Sequence, residues 1–238
     1  MNFVIDALRW IVDPANLSGP AGIPARTLEH LAYTGITLVI AAVIALPIGV
    51  LVGHTHRGAV AVLQVSGALR ALPTLGAVVL LALWLGLGLG APLIVLVVLA
   101  LPPLIAGASS GVGSVTPETV DAARSVGMTE WQVLWKVEIP LGLPLIIGGI
   151  RSACLQVIAT WTVAAFLPVG GLGRYLIDGL AVQDYSEMLG GSLVVIVLAL
   201  VVDGLFAVVQ RLVVPRGVVA GRVGEVRVRA RRPAVQTT

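Results

Sequence analysis

Apolar residues run in long blocks along this chain instead of alternating with polar ones at helical or strand spacing. A helix that crosses a membrane needs about 20 consecutive, mostly apolar residues. Five blocks reach that length: about Leu31 to Gly53, Ala59 to Leu85, Pro92 to Gly111, Gly142 to Leu167 and Met188 to Leu212. The second contains Arg70 and Pro73. All five are apolar around most of their circumference, so periodicity does not say which face packs inward. The pattern predicts an all-α polytopic membrane protein with about five transmembrane helices. Residues 1–26 precede the spans, 27–212 carry them together with a polar loop at 113–140, and 213–238 form a basic tail. There is no internal sequence repeat, and Leu85 to Gly90 reads as a Gly-rich turn between the second and third spans.

Composition agrees with this and removes other classes. Of 238 residues, 58% are apolar and 11% charged, with a mean hydropathy of +1.02. Soluble domains carry about 25% charged residues and need polar cover on the outside, so a soluble enzyme, a disordered tail and a nucleic-acid module are excluded. A single cysteine, Cys154, rules out an intrachain disulfide and any multi-cysteine metal site. The net charge of +3 is a matter of topology. Arg57, Arg124, Lys136 and seven tail arginines from Arg211 to Arg232 lie on one side, against Arg9, Arg26 and Arg174 on the other. By the positive-inside rule the first set is cytoplasmic, which puts the N-terminal segment outside and the tail inside. The first twenty residues include Asp6 and Asp13 and lack a basic start before an apolar core. No cleavable signal peptide is expected, and the first span is expected to act as its own insertion signal. The distal tail is expected to be disordered or to rest on anionic headgroups.

The polar loop is the most informative segment. Thr116-Pro117-Glu118 has the chemistry of a helix start, with a capping residue, a first-turn proline and an acid beside the N-terminus. A helix through Asp121 to Val126 is expected to end at Gly127, which can adopt a left-handed conformation. Thr129-Glu130 is expected to start a second amphipathic helix, Trp131 to Glu138, closed by Pro140. Such a helix–Gly–helix either docks a soluble partner through Trp131, Leu134, Trp135 and Val137, or lies flat on the membrane surface.

The run Asp121-Ala-Ala, three residues, Gly127, nine residues, Val137-Glu-Ile-Pro140 resembles the EAA loop of binding-protein-dependent ABC importer permeases, whose pattern is E-A-A, three residues, G, nine residues, I-x-L-P. Asp121, Val137 and Ile139 depart from it conservatively, while the alanine pair, Gly127, the spacings and Pro140 match. Arg70 to Gly76, Glu138 to Pro144, Gly149 to Ser152 and Val169 to Gly179 resemble the osmoprotectant branch, which imports glycine betaine, choline, carnitine or proline. The resemblance covers about Thr27 to Gln210 and looks most like the paired permease subunits of actinobacterial importers.

It implies a type I ABC importer permease fold in a bacterial cell membrane. It further implies an ATPase-coupling site of Glu118, Asp121, Ala122, Ala123, Gly127, Trp131, Val137 and Pro140. The implied partners are a cytoplasmic ABC ATPase dimer, a second permease subunit (homologous or a second copy), an extracytoplasmic substrate-binding protein and membrane lipid, with no nucleic acid. A Walker A loop needs Lys followed by Ser or Thr, and the single lysine, Lys136, stands between Trp135 and Val137. The chain is therefore read as a transport subunit, not an enzyme, with no cofactor of its own; ATP and Mg belong to the partner ATPase. The rival readings are an ABC permease for another amino acid or a thiol-betaine, and an ATP-independent secondary transporter. The latter would be expected to show repeats and several intramembrane carboxylates.

Other residues carry competing readings. Intramembrane charges are costly and normally paired, so Asp203 is expected to pair with Arg151 or with Arg70, either as a structural pair or as a gate. Gly170, Gly171, Gly173 and Arg174 are expected to form a Gly-rich outer-gate loop, since no strand–loop–helix context supports phosphate binding there. Asp178, Asp184 and Glu187 read either as a rim that docks a binding protein or as ordinary solvated residues. His54 and His56 lack a third ligand nearby, so no metal is assigned, and no histidine has a nucleophile signature beside it. The aromatics Tyr33, Trp84, Trp161, Tyr175 and Tyr185 are scattered, so no cage for a quaternary ammonium can be read from spacing. Solute selection is therefore expected to reside in the separate binding protein.

Overall fold

The computed structural model describes residues 3–213, and the basic tail expected at 213–238 lies outside the described residues from position 214 onward. Two short helices come first, α1 (Phe3–Val12) and α2 (Pro14–Leu17), then the long α3 (Ile23–Thr55). Next come α4 (Ala59–Arg70), α5 (Thr74–Leu85) and α6 (Gly90–Gly113), followed by α7 (Pro117–Ser125) and α8 (Glu130–Val133). A π turn (Leu134–Glu138) leads into α9 (Ile139–Ala164), and α10 (Gly173–Val182) and α11 (Tyr185–Val213) complete the described chain. Among the described residues, four helical stretches are long and apolar enough to cross a membrane: α3, α6, the continuous Glu130–Ala164 rod and α11. Counting α4 and α5 together as one broken span gives five.

Two expectations need correction. The second span is not one helix: α4 and α5 meet at an angle of 81°. Pro73 has no backbone N–H and disfavours helical backbone at Leu72; it becomes the N-cap of α5 with extended φ −69°, ψ 110°. Nor does Pro140 close the second loop helix, because the chain stays helical from Glu130 to Ala164. The π turn explains how. In a regular α-helix the Pro140 ring would strike the carbonyl four residues earlier, whereas the wider turn, in which Ile139 N–H donates to the Leu134 carbonyl, makes room.

α6 is the centre of the bundle, flanked by α3 on one side and α9 on the other. Glycine permits the close approach on both sides. A Cβ on Gly49 or Gly53 of α3 would fall 2.6 Å from Ala108 Cβ and 2.7 Å from the Ser109 carbonyl of α6. Gly107 and Gly111 of α6 meet Gly149 and Gly142 of α9 in the same way. Lipid tails are as apolar as leucine, so packing of this kind and interhelical hydrogen bonds hold such helices together. The bonds are present: Trp161 Nε1 donates to Thr37 Oγ1 at 3.0 Å, Gln156 Nε2 to the Leu99 carbonyl at 2.9 Å and Gln210 Nε2 to the Pro144 carbonyl at 3.1 Å. At the opposite end from the polar loop, α1 and α10 brace α11. Trp10 stacks edge-on against Tyr175 at 4.9 Å, and Gly190 lets α11 sit against Trp10.

Candidate functional site

The polar loop folds into two short helices at a sharp corner. Thr116 caps α7, with Pro117 in its first turn and Glu118 exposed beside the N-terminus. At its far end Gly127 N–H donates to the Arg124 carbonyl at 2.9 Å and Met128 N–H to the Ala123 carbonyl at 3.2 Å. This is the paired 5→2 and 6→1 bonding of a Schellman motif, which needs a left-handed residue at its apex. Gly127, at φ +87°, supplies it. Met128 folds back toward Val120, Ala123, Val133 and Val137, a small apolar core that fixes the angle between the helices. A reciprocal capping box, Thr129 with Gln132, then starts α8.

What faces outward is now defined. Asp121 and Ala122 are exposed, Ala123 is buried in the corner, and Val137 and Pro140 are partly buried at the junction with α9. Trp131 and Trp135 stand one helical turn apart, 68% and 54% exposed, with their rings edge-on at 5.7 Å. Leu134, by contrast, turns inward. Arg124 bridges the corner with two 2.9 Å bonds to Glu130 and a weaker one to Asp121. These bonds hold the Glu130 carboxyl below its ordinary range and push Arg124 further up. The element therefore presents a rigid, aromatic-tipped face at the end of the bundle that the charge bias assigns to the cytoplasm.

Among the intramembrane charges, Arg151 binds Asp203 through two 2.6 Å bonds, Nε to Oδ1 and Nη2 to Oδ2, joining α9 to α11. Arg70 is elsewhere. It lines a cleft of ≈ 510 Å³ between α3, α4 and α6, together with His56, Ser66 and Ser109. A bidentate fork fixes geometry, and breaking it leaves an unpaired charge among apolar helices. Arg151→Leu alone is thus expected to lower the melting temperature of the detergent-solubilised protein, and the double variant Arg151→Leu/Asp203→Leu to recover most of that loss. Thermal unfolding of both variants checks this.

At the outer end, Gly171 takes φ +88° and donates its N–H to Glu29 at 2.9 Å, while a Cβ on Gly170 would strike the same carboxylate. Gly173 lies against the Thr162 carbonyl, and Arg174 pairs with Asp178 and donates to the Ala165 carbonyl. Asp184 accepts from the backbone N–H groups of Ser186 and Glu187, capping α11. These acids are therefore engaged locally. Sequence reasoning missed Glu29 and His30 at this end and Glu138 at the other. His30 is buried and bonds the Ile158 carbonyl at 3.0 Å. Glu138 is 5% exposed and bonds His54 at 2.6 Å. No spacing rule links residues 84 or 142 positions apart.

The described chain is a bundle of candidate membrane-crossing helices with an outward-facing helical corner at one end. Residues 31–217 match the binding-protein-dependent transport system inner membrane component family, and the chain belongs to that family. The chain is 32% identical to the glycine betaine/carnitine/choline transport system permease protein OpuCB of Bacillus subtilis, over 81% of this chain and 88% of that one. It is also 32% identical to the osmoprotectant import permease protein OsmW of Salmonella typhimurium, over 90% of this chain and all of that one. The fold superposes on a chain of the MetNI methionine ABC transporter in its inward-facing form, with TM-score 0.71 at 21% identity, over 81% of this chain and 96% of that one.

Proposed function

We propose that this chain is the permease subunit of an ABC importer for osmoprotectants, with glycine betaine, choline, carnitine and proline as the substrate class. The carrying observation is the α7–α8 corner: a Schellman turn at Gly127, an exposed Trp131–Trp135 pair and a continuous helical connection into a membrane span. A loaded binding protein docks on the outer side, ATP and Mg close a dimer of separate ATPase subunits inside, and the corner rides in a groove of the ATPase and carries that closure into the spans. Glu118, Asp121, Ala122, Gly127 and Trp131 supply the exposed contact, while Ala123 packs beneath it and Val137 and Pro140 shape its junction with α9. Two permease chains enclose one pathway. The relatives named for glycine betaine, carnitine and choline support the substrate class.

The test is uptake into proteoliposomes holding this chain, its partner permease and the ATPase, with the binding protein added outside. Uptake of radiolabelled betaine, choline, carnitine or proline is expected only when ATP is enclosed and the binding protein is present. Uptake that persists without ATP would replace this reading with a secondary transporter, and transport of a different solute alone would move the substrate class.

A further inference from the structure

Nothing in the proposed function requires the first long helix to touch the coupling corner, yet it does. At the inner end of α3, His54 Nδ1 lies 2.6 Å from Glu138 Oε2, and its Nε2 lies 3.5 Å from Glu130 Oε2. Glu138 is the last residue of the π turn, its side chain is 6% exposed, and His54 is its hydrogen-bond partner. Glu130 is itself bonded to Arg124, so His54 stands where α3, α8 and the π turn meet, one contact away from α7. The outer end of α3 is tied to the other end of the same rod. His30 bonds the Ile158 carbonyl and Thr37 accepts from Trp161, while Glu29 accepts from Gly171 in the loop beyond the rod. From Glu138 to Ile158 at 1.5 Å per residue, the two fastenings stand about 30 Å apart.

A π turn is a single-turn irregularity in an otherwise regular helix and a natural place for a rod to flex. Here it sits between the corner and the membrane-crossing part of α9. If the corner were displaced while α3 stayed put, bending at the π turn would absorb the motion. His54 straddles that turn, its Nε2 facing Glu130 ahead of it and its Nδ1 bonded to Glu138 at its end, and it stands on a second helix already fixed to α9 at its far end.

We infer that α3 and the Glu130–Ala164 rod move as one lever in the transport cycle, and that His54 is the positioning residue that fastens the coupling corner to α3. The inference rests on the coupling role proposed for the corner. It makes His54 a determinant of how much solute moves per ATP hydrolysed, although it contacts neither.

The experiment measures ATP hydrolysed and solute imported together, in proteoliposomes of the full complex with binding protein. His54→Leu is expected to lower the ratio of imported solute to ATP by about tenfold, the fold-change equivalent of ~1.4 kcal/mol. His54→Gln keeps a donor toward Glu138 and is expected to recover most of the ratio. A merely structural role is separated by His54→Leu/Glu138→Leu, which removes the orphaned carboxylate. This double variant is expected to regain the wild-type melting temperature and still couple poorly; if His54→Leu alone fails to assemble, the double variant carries the test. A normal ratio in either His54→Leu protein overturns the inference. Gly127→Asp, run alongside, separates the two claims: full stimulation there overturns the coupling reading itself, while normal coupling in the His54 variants with loss in Gly127→Asp overturns only the fastening.

Discussion

Gly127→Asp is expected to leave the chain folded in the membrane while abolishing the rise in ATP hydrolysis that a loaded binding protein produces. Gly127 sits at φ +87°, where a residue with a Cβ is strained, although aspartate tolerates the left-handed region better than most. A Cβ there meets nothing within 4 Å, so the chain's own packing does not resist the new side chain. The added bulk and charge therefore project from the apex of the corner, into whatever the corner docks against. Membrane insertion depends on spans far from this apex and is expected to be unchanged. The comparison to make is ATPase activity of the reconstituted complex with and without loaded binding protein. Basal activity should persist, since it belongs to the ATPase, and stimulation should vanish. Val120→Asp is the contrasting case, because Val120 lies in the small core beneath the corner and its loss should also lower the melting temperature.

Some of this architecture can be read from residues alone. The spans announce themselves because lipid demands some 20 apolar residues in a row, and the structure shifts most of their ends by only a few residues, although α3 starts more than two turns early, at Ile23 instead of Leu31. The corner was readable because Gly127, Thr129 and Pro117 act through local backbone chemistry. Pro73 and Pro140 show where local rules stop. Both prolines were visible, but one broke a span at 81° and the other was absorbed by a π turn. The difference lies in whether neighbouring turns can widen to accept the ring, which tertiary contacts decide.

The choice between Arg151 and Arg70 as partner of Asp203 was likewise beyond spacing, because it depends on how the helices are placed and rotated against one another. His54 is the sharpest case. In the sequence it is one of two neighbouring histidines, with His56, to which no metal is assigned. In the fold His56 adopts φ 54° as the C-cap of α3, and His54 turns back toward Glu138. A contact between residues 84 positions apart leaves no trace in either local pattern.

The largest effect on the fold itself is expected at Gly149. Lipid gives apolar helices no hydrophobic reason to associate, so the depth of their approach has to hold them. At Gly149 that approach is limiting: a Cβ would stand 2.6 Å from Gly107 Cα and 2.8 Å from the Pro103 carbonyl, both backbone atoms that cannot rotate away. Gly149→Leu must therefore separate α6 from α9, and because α6 also carries α3, the separation spreads through the centre of the bundle. Overpacking of side chains costs about 1–3 kcal/mol, and a clash against backbone should reach or exceed the top of that range. Gly148→Leu is the matched control, one residue along the same helix, where a Cβ meets nothing within 4 Å. It makes the same change in volume, helix propensity and hydropathy. The expected result is a marked fall in folded protein and melting temperature for Gly149→Leu, and near-wild-type behaviour for Gly148→Leu. Equal losses in both would mean that the glycine stripe is not what sets the α6–α9 distance.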